Sequence, residues 1–296
     1  MEPRDVLVIG AGPAGIAAAV QLQRCGIPSV VVERGDIGGC LRNANLVENY
    51  PGFPGGISGP DLVGLFEKQL AVSGAQLVSG EVLELEYRNG TFSAKMKEGE
   101  IRSRRAVIAS GTRPRTDTGV AVSNCASERV VFEAYPIRDV SGKRIVVIGA
   151  GDAAFDYALN LSARNEVIIL NRSDRLRCIP GLWRSFESAG DISYRTNVAV
   201  AEIQRSGEGL LARCAVRGGA DENIIADYVL CAVGREPDLD FLGDGVRANQ
   251  ERLADEKTLF MIGDVGNETY RQTAICVGDG VRAALDIYYH DRRGVT

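Results

Sequence analysis

One pattern occurs twice in this chain and restricts its fold more than any other feature. Asp5-Val-Leu-Val-Ile-Gly10-Ala-Gly12-Pro13-Ala14-Gly15 is an apolar run that stops at a glycine turn, and Ile16-Ala-Ala-Ala-Val-Gln-Leu follows at helical spacing. A second apolar run, Ser29-Val-Val-Val-Glu33, ends on an acid. Strand, glycine turn, helix and acid-tipped strand together make a dinucleotide-binding unit. Gly10 permits the tight turn, Gly12 lets backbone approach a pyrophosphate, and Gly15 allows close packing of helix on strand. The helix N-terminus offers partial positive charge to the phosphates, and Glu33 can accept from a ribose 2′-hydroxyl.

The repeat begins at Lys143. Lys143-Arg-Ile-Val-Val-Ile-Gly149-Ala150-Gly151-Asp152-Ala153-Ala154 leads into a helix from Phe155, and Glu166-Val-Ile-Ile-Leu-Asn171 is the next strand. Ala154 stands in the third glycine position, a tolerated change. Here the strand ends on Asn171 and not on an acid, and Arg172, Ser173, Arg175 and Arg177 follow. Neutral and basic residues at that place suit a 2′-phosphate; the alternative is a basic surface loop. Apolar runs closed by glycine near Arg105–Gly111, Tyr228–Gly234 and Thr258–Asp264 read as returning strands. The expected fold is α/β, with two Rossmann-like domains of three-layer ββα build, the second inserted into the first. Residues 1–115 and 238–296 form one domain and 116–237 the other, with hinge strands expected at Pro114–Thr118 and Arg235–Asp240.

Composition supports this and narrows the partners. The chain has 35 glycines in 296 residues, about 12% against a usual ~7%, without any collagen period. Net charge is −5 and the basic residues are scattered, which argues against nucleic acid. No apolar run approaches the ~20 residues of a bilayer span. Met1-Glu2-Pro3 is a polar lead and not a signal peptide, so a cytoplasmic chain is expected. The seven cysteines have no close-spaced pair, which speaks against a disulfide framework or a cysteine zinc site, and no metal is expected.

With these motifs in order, the chain resembles the low-molecular-weight thioredoxin reductases, two-domain flavoproteins. The blocks that carry the resemblance are Gly10–Gly15, Gly38-Gly39-Cys40-Leu41, Val47–Pro54, Ile108–Pro114, Gly149–Ala154, Ala232–Pro237, Ile262–Val265 and Tyr270–Ala274. The resemblance implies FAD in the first domain, held by Gly10, Gly12, Pro13, Ala14, Gly15, Glu33 and Arg34. Gly39, Cys40, Leu41 and Asn49 would run along the flavin, with Val82, Ser110, Gly111 and Gly263 also lining the site. Asp264 would bond the ribityl chain, and Arg271, Gln272 and Thr273 would open a helix facing the flavin N1–C2=O edge. It implies a nicotinamide nucleotide on Gly149, Ala150, Gly151, Asp152, Ala153 and Gly234. The family's His-Arg-Arg run, with another Arg four positions on, is here Asn171, Arg172, Ser173 and Arg177, which favours NADPH over NADH. A homodimer is implied as well.

The departure lies just before the second nucleotide strand. Counting back from Lys143, Phe132 and Tyr135 stand where the family carries its Cys-x-x-Cys. Neither side chain can pass electrons by disulfide exchange. The aromatic pair is expected near the flavin face or in the second domain's core. The leading reading is therefore an FAD-dependent NAD(P)H oxidoreductase that delivers electrons to an acceptor other than thioredoxin: a ferredoxin-like protein, a partner enzyme or a small molecule. Hydride transfer from nicotinamide to flavin demands no side-chain acid or base, so no catalytic residue is assigned. Two alternatives stay open: a disulfide reductase using Cys40 singly, and a non-enzymatic flavin-bound sensor or scaffold. The remaining cysteines read as small hydrophobes, and His290 at a helix end carries no role.

Overall fold

The computed structural model describes residues 4–190 and 192–293; the lead Met1–Pro3 and the closing 294–296 lie outside the described residues. Contacts divide the chain into two compact units. The first takes the chain up to Arg42, Val47–Arg113 and the chain from Glu236; the second takes Asn43–Leu46 and Pro114–Arg235.

Apolar runs without alternation become parallel strands covered on both faces. In the first unit Arg4–Ile9 lies between Ser29–Glu33 and Gly99–Ile108, parallel to both, with Val6, Leu7, Val8 and Val31 fully buried. Gln76–Ser79 extends one side and Leu259–Met261 pairs with the end of Gly99–Ile108 on the other. The start of that long strand pairs antiparallel with Thr91–Met96, which pairs in turn with Glu84–Arg88. One ten-residue strand thus serves a parallel sheet and a meander.

Helix Pro13–Arg24 starts on proline, whose missing N–H costs nothing at a first helical position, and it buries Ala14, Ile16, Ala18, Ala19 and Leu22. It packs against Thr273–Arg293 and Gly59–Ser73. The latter is capped by Ser58, which accepts from the Asp61 N–H at 3.1 Å, and stops at Gly74 in the left-handed region.

In the second unit five parallel strands run in the order Ile192–Thr196, Glu166–Asn171, Arg144–Ile148, Tyr228–Cys231, Val130–Val131. A second sheet orders Glu222–Ala226, Gly209–Val216, Val198–Ser206 and Ala121–Val122. The two sheets share a core of Val146, Val229, Ile203, Leu210 and Ala212. Helices Asp152–Ser162 and Pro180–Ser188 cover the other face, where Phe155 meets Trp183, Phe186 and Tyr194 with ring centroids 5.3–5.7 Å apart. Helix, parallel sheet and a second, largely antiparallel sheet make three layers.

The expected returning strands form as Gly99–Ile108, Tyr228–Cys231 and Leu259–Met261. The expected hinge strands need correction. Pairing occurs between Thr112–Pro114 and Arg235–Pro237, and each segment stops on a proline, which has no N–H to continue a ladder. Residues 115–118 and 238–240 are therefore not strand. Among the described residues no helix is long and apolar enough to cross a membrane.

Candidate functional site

Each unit carries its glycine loop between a buried strand and a helix N-terminus, and the three glycine positions differ in what they tolerate. At Gly10, with φ +103°, an added Cβ would lie 2.3 Å from the Ala109 carbonyl oxygen; at Gly15 it would lie 1.9 Å from that of Gly10. These two are glycine for packing. At Gly12 an added Cβ would meet nothing within 4 Å, and as N-cap Gly12 offers no side chain to the helix amides. The open space at Gly12 and the uncapped amides behind it form a cradle that suits a pyrophosphate.

Glu33 closes the first loop. The Ala11 N–H donates to its Oε2 at 2.7 Å and the Gly35 N–H to its Oε1 at 2.9 Å, which fixes the carboxylate and leaves further lone pairs for a ribose hydroxyl. Beside it an open pocket is lined by Gly10, Val32, Glu33, Gly80, Val82, Ser110 and Phe241 among others. Arg34 turns to Asp238 at 2.7 Å and Glu81 at 3.7 Å. Asp238, Glu81 and Phe241 were not singled out from sequence; Asp238 is buried, pairs with Arg34, and its carbonyl accepts from the Ser110 hydroxyl at 2.7 Å. Only their closeness to the glycine-tipped strand ends marked them.

Other expected flavin-side residues also come together within this unit. Asn49 Nδ2 donates to Gln272 Oε1 at 2.7 Å, and Thr273 opens the last helix. Gly39, with φ +53°, brings the Gly38–Cys40 turn to within 3.6 Å of Gly12 Cα, measured from the Cβ it lacks. Leu41 is buried, and Gly111 is left-handed, with its carbonyl accepting from the Asp238 N–H. Cys40 Sγ lies 3.9 Å from the Thr112 carbonyl oxygen. Asp264, in the turn Gly263–Val265, accepts from the Cys276 thiol at 3.2 Å. The residues present fit FAD: an uncapped glycine cradle, an acid beside an open pocket, and a second acid at a glycine turn.

The second loop repeats the cradle. Gly149 has φ +142° and an added Cβ would lie 2.4 Å from the Ala232 oxygen, whereas Gly151 faces open space and is an N-cap without a side-chain bond. Ala150 is buried, Ala153 lies in the helix's first turn, and Gly234 is left-handed, its carbonyl accepting from the Arg115 N–H. Asp152 accepts from the Ile179 N–H at 2.8 Å, and the Arg177 N–H donates to the Ala150 carbonyl at 3.1 Å. The arginine segment is thereby tied to the glycine loop.

Asn171 is buried and consumed by the protein. Its Nδ2 donates to the Arg175 carbonyl and the Tyr194 hydroxyl, and its Oδ1 accepts from the Ser173 N–H at 3.1 Å. Asn171 therefore shapes the turn that carries Arg172, Arg175 and Arg177, all exposed and, among the described residues, in no ion pair. Asp156, one turn beyond Asp152, went unnoticed in the sequence. It is half-buried, accepts from the Asn45 N–H at 2.9 Å within this unit, and burial raises its carboxyl to about 6. Its place four residues after Asp152 was the available signal.

Phe132 packs against the second unit's two-sheet core. Tyr135 begins a short 3₁₀ turn; its N–H donates to Asn43 Oδ1 at 2.9 Å, and the Arg138 guanidinium lies 3.8 Å from its ring centroid. Burial raises the thiols of Cys214 and Cys231 to about 11 and lifts Cys178 and Cys276 as well, so none of the four is a thiolate at neutral pH.

Residues 4–280 match the family described as pyridine nucleotide-disulphide oxidoreductase. The chain belongs to this family. A thioredoxin reductase of Streptomyces clavuligerus is 32% identical over 308 residues, covering 96% of this chain and 93% of the relative. Among solved structures, the thioredoxin reductase of T. acidophilum superposes with a TM-score of 0.85 at 25% identity, covering 98% and 99% of the two chains. That of Lactococcus lactis gives 0.84 at 26% identity, covering 97% and 98%. The chain is thus an NAD(P)H-dependent oxidoreductase of thioredoxin reductase-like build, a kind of flavoprotein that generally uses FAD and NADPH.

Proposed function

We propose that this protein binds FAD through its first unit and NADPH through its second, and passes electrons to an acceptor other than thioredoxin. One observation carries the acceptor reading: no two of the seven cysteines are spaced Cys-x-x-Cys, and the count back from Lys143 puts Phe132 and Tyr135 where the resemblance implies the family's dithiol. Phe132 is committed to core packing, and four of the remaining thiols are held neutral. Bound FAD supplies the hydride acceptance and onward electron transfer. The chain's own part is to hold and orient. Gly12 and Gly151 give backbone approach to the two pyrophosphates, Glu33 receives the adenosine ribose, and Asp264 receives the ribityl hydroxyls. Arg172 and Arg177 face the 2′-phosphate, with Asn171 setting the turn between them. NADPH is favoured over NADH on that ground. We further propose a homodimer, on family resemblance, and a cytoplasmic location.

The test is anaerobic mixing of the yellow holoprotein with NADPH and, separately, NADH, followed by turnover with thioredoxin and with ferricyanide. NADPH is expected to bleach the flavin absorption faster than NADH. Ferricyanide should be reduced and thioredoxin not. Robust thioredoxin turnover that disappears in Cys40→Ser would replace this reading with the single-thiol one. Failure of both nucleotides to reduce a bound flavin would leave the sensor or scaffold.

A further inference from the structure

The flavin reading leaves one buried thiol in direct contact with a binding residue. Cys276 sits in the first turn of helix Thr273–Arg293, is 6% exposed, and donates to Asp264 Oδ1 at 3.2 Å. Its place is fixed by close packing on the glycine-loop helix. An added Cβ on Gly280 would lie 2.3 Å from the Ala14 carbonyl oxygen and 2.8 Å from the Ala18 nitrogen, so the two helices touch backbone to backbone there. One turn earlier, Gly263 is wedged between them: an added Cβ would lie 2.8 Å from Ala14 Cβ and 3.5 Å from Cys276 Sγ. The Gly263 N–H donates to Asp279 Oδ2 at 3.3 Å, and Asn267 Nδ2 also donates to Asp279. The last helix thus holds this turn at Gly263, Asp264 and Asn267.

We propose that Cys276 is a positioning residue for flavin binding, its thiol holding one oxygen of Asp264 so that the other is presented to the ribityl hydroxyls. This rests on the reading that Asp264 faces the flavin. Burial and the neighbouring carboxylate favour the protonated thiol, so Cys276 is a donor and not a competing anion. A thiol is a weak donor, which steers the carboxylate without neutralising it. Without that bond Asp264 would be free to turn, and part of the binding would be spent on ordering it.

The experiment measures FAD affinity by diluting the holoprotein and following the fluorescence of released flavin. It compares the unmodified protein, Cys276→Ala, Cys276→Ser, Asp264→Ala and the double variant Cys276→Ala/Asp264→Ala. Cys276→Ala is expected to weaken FAD binding roughly three- to tenfold, in line with loss of one ordinary hydrogen bond, since the thiol is a weak donor. Cys276→Ser, which keeps a donor of similar size, should restore affinity to within about twofold of the unmodified protein. In the Asp264→Ala background, Cys276→Ala should have no further effect, because its action runs through that carboxylate. An unchanged affinity in Cys276→Ala, beside a clear loss in Asp264→Ala, overturns the inference and leaves the flavin reading standing. An equal loss in both backgrounds means Cys276 acts by packing and also overturns it. Should Asp264→Ala itself leave FAD affinity unchanged, the ribityl role of Asp264 falls and takes this inference with it.

Discussion

The two glycine loops share a backbone and differ in what surrounds it. Gly10 and Gly149 are both pressed against a neighbouring strand's carbonyl, and Gly12 and Gly151 both face open space. At the tip of the next strand they part. Glu33 is held by two loop amides with lone pairs to spare, while Asn171 is buried and tied into a turn bearing three exposed arginines. A carboxylate accepts from a free 2′-hydroxyl and repels a 2′-phosphate; a cationic turn does the reverse. The helices behind the loops differ too. Counting from the first glycine, Pro13 and Ala17 correspond to Asp152 and Asp156. On the proposed reading, the shared scaffold fixes where a pyrophosphate lies, and single side chains around it choose which nucleotide.

The largest expected effect separates the two loops outright. Gly12→Val should abolish FAD retention while the chain stays folded, because the added side chain enters space that only the ligand needs. Gly151→Val should keep the flavin and block its reduction by NADPH. Flavin content and anaerobic bleaching read the two outcomes, and loss of FAD in Gly151→Val would mean that the loops are not independent.

Next comes the arginine turn. Arg172→Ala should lower kcat/KM for NADPH about ten- to a hundredfold and leave NADH nearly unchanged, since a hydrogen bond to a charged group is worth roughly 1.5–3 kcal/mol. Steady-state rates with ferricyanide as acceptor give the ratio. An equal drop for both nucleotides would point to a damaged loop.

Asp156 sharpens the contrast with Ala17. Burial raises its carboxyl from 3.8 to about 6, so the native state keeps a proton that the unfolded chain releases as pH rises through that interval. Its contribution to stability therefore declines between about pH 4 and 6 and levels off above, by about 3 kcal/mol. Asp156→Asn should remove that decline. Urea unfolding midpoints of both proteins at pH 4.5 and 7.5 check it, and parallel behaviour would refute it. The smallest effect is expected from Ser173→Arg. It adds a cation but removes the hydroxyl that accepts from the Arg175 N–H at 3.3 Å, so NADPH preference should rise only a few-fold.

How much of this was legible beforehand follows from chemistry. Both Rossmann strands, both glycine turns and Glu33 could be read because each rests on local rules: an apolar run, a glycine that must be glycine, a charge at a strand tip. Asp238 could not. Its role depends on Arg34, about 200 residues away, and nothing local to either residue marks the pair. Asn171 was legible as a missing acid but not as a turn-former, because its partner Tyr194 comes from the neighbouring strand. Phe132 was expected either by the flavin or in the core, and the choice between them needed the second sheet, whose alternating strands supply the packing face.

The ten-residue strand Gly99–Ile108 also carries a consequence for how the chain is made. Its end pairs with Leu259–Met261, and the helix that clamps the glycine loop begins at Thr273. The first unit therefore cannot close until the whole of the second has been synthesised, whereas most of the second, Pro114–Arg235, emerges as one continuous piece. During translation the early strands Arg4–Ile9 and Ser29–Glu33 wait with one flank of their sheet missing, and the inserted unit is free to complete itself first. The late strand must then find Ala106–Ile108 across some 150 intervening residues, a separation that slows folding far more than it costs in equilibrium stability.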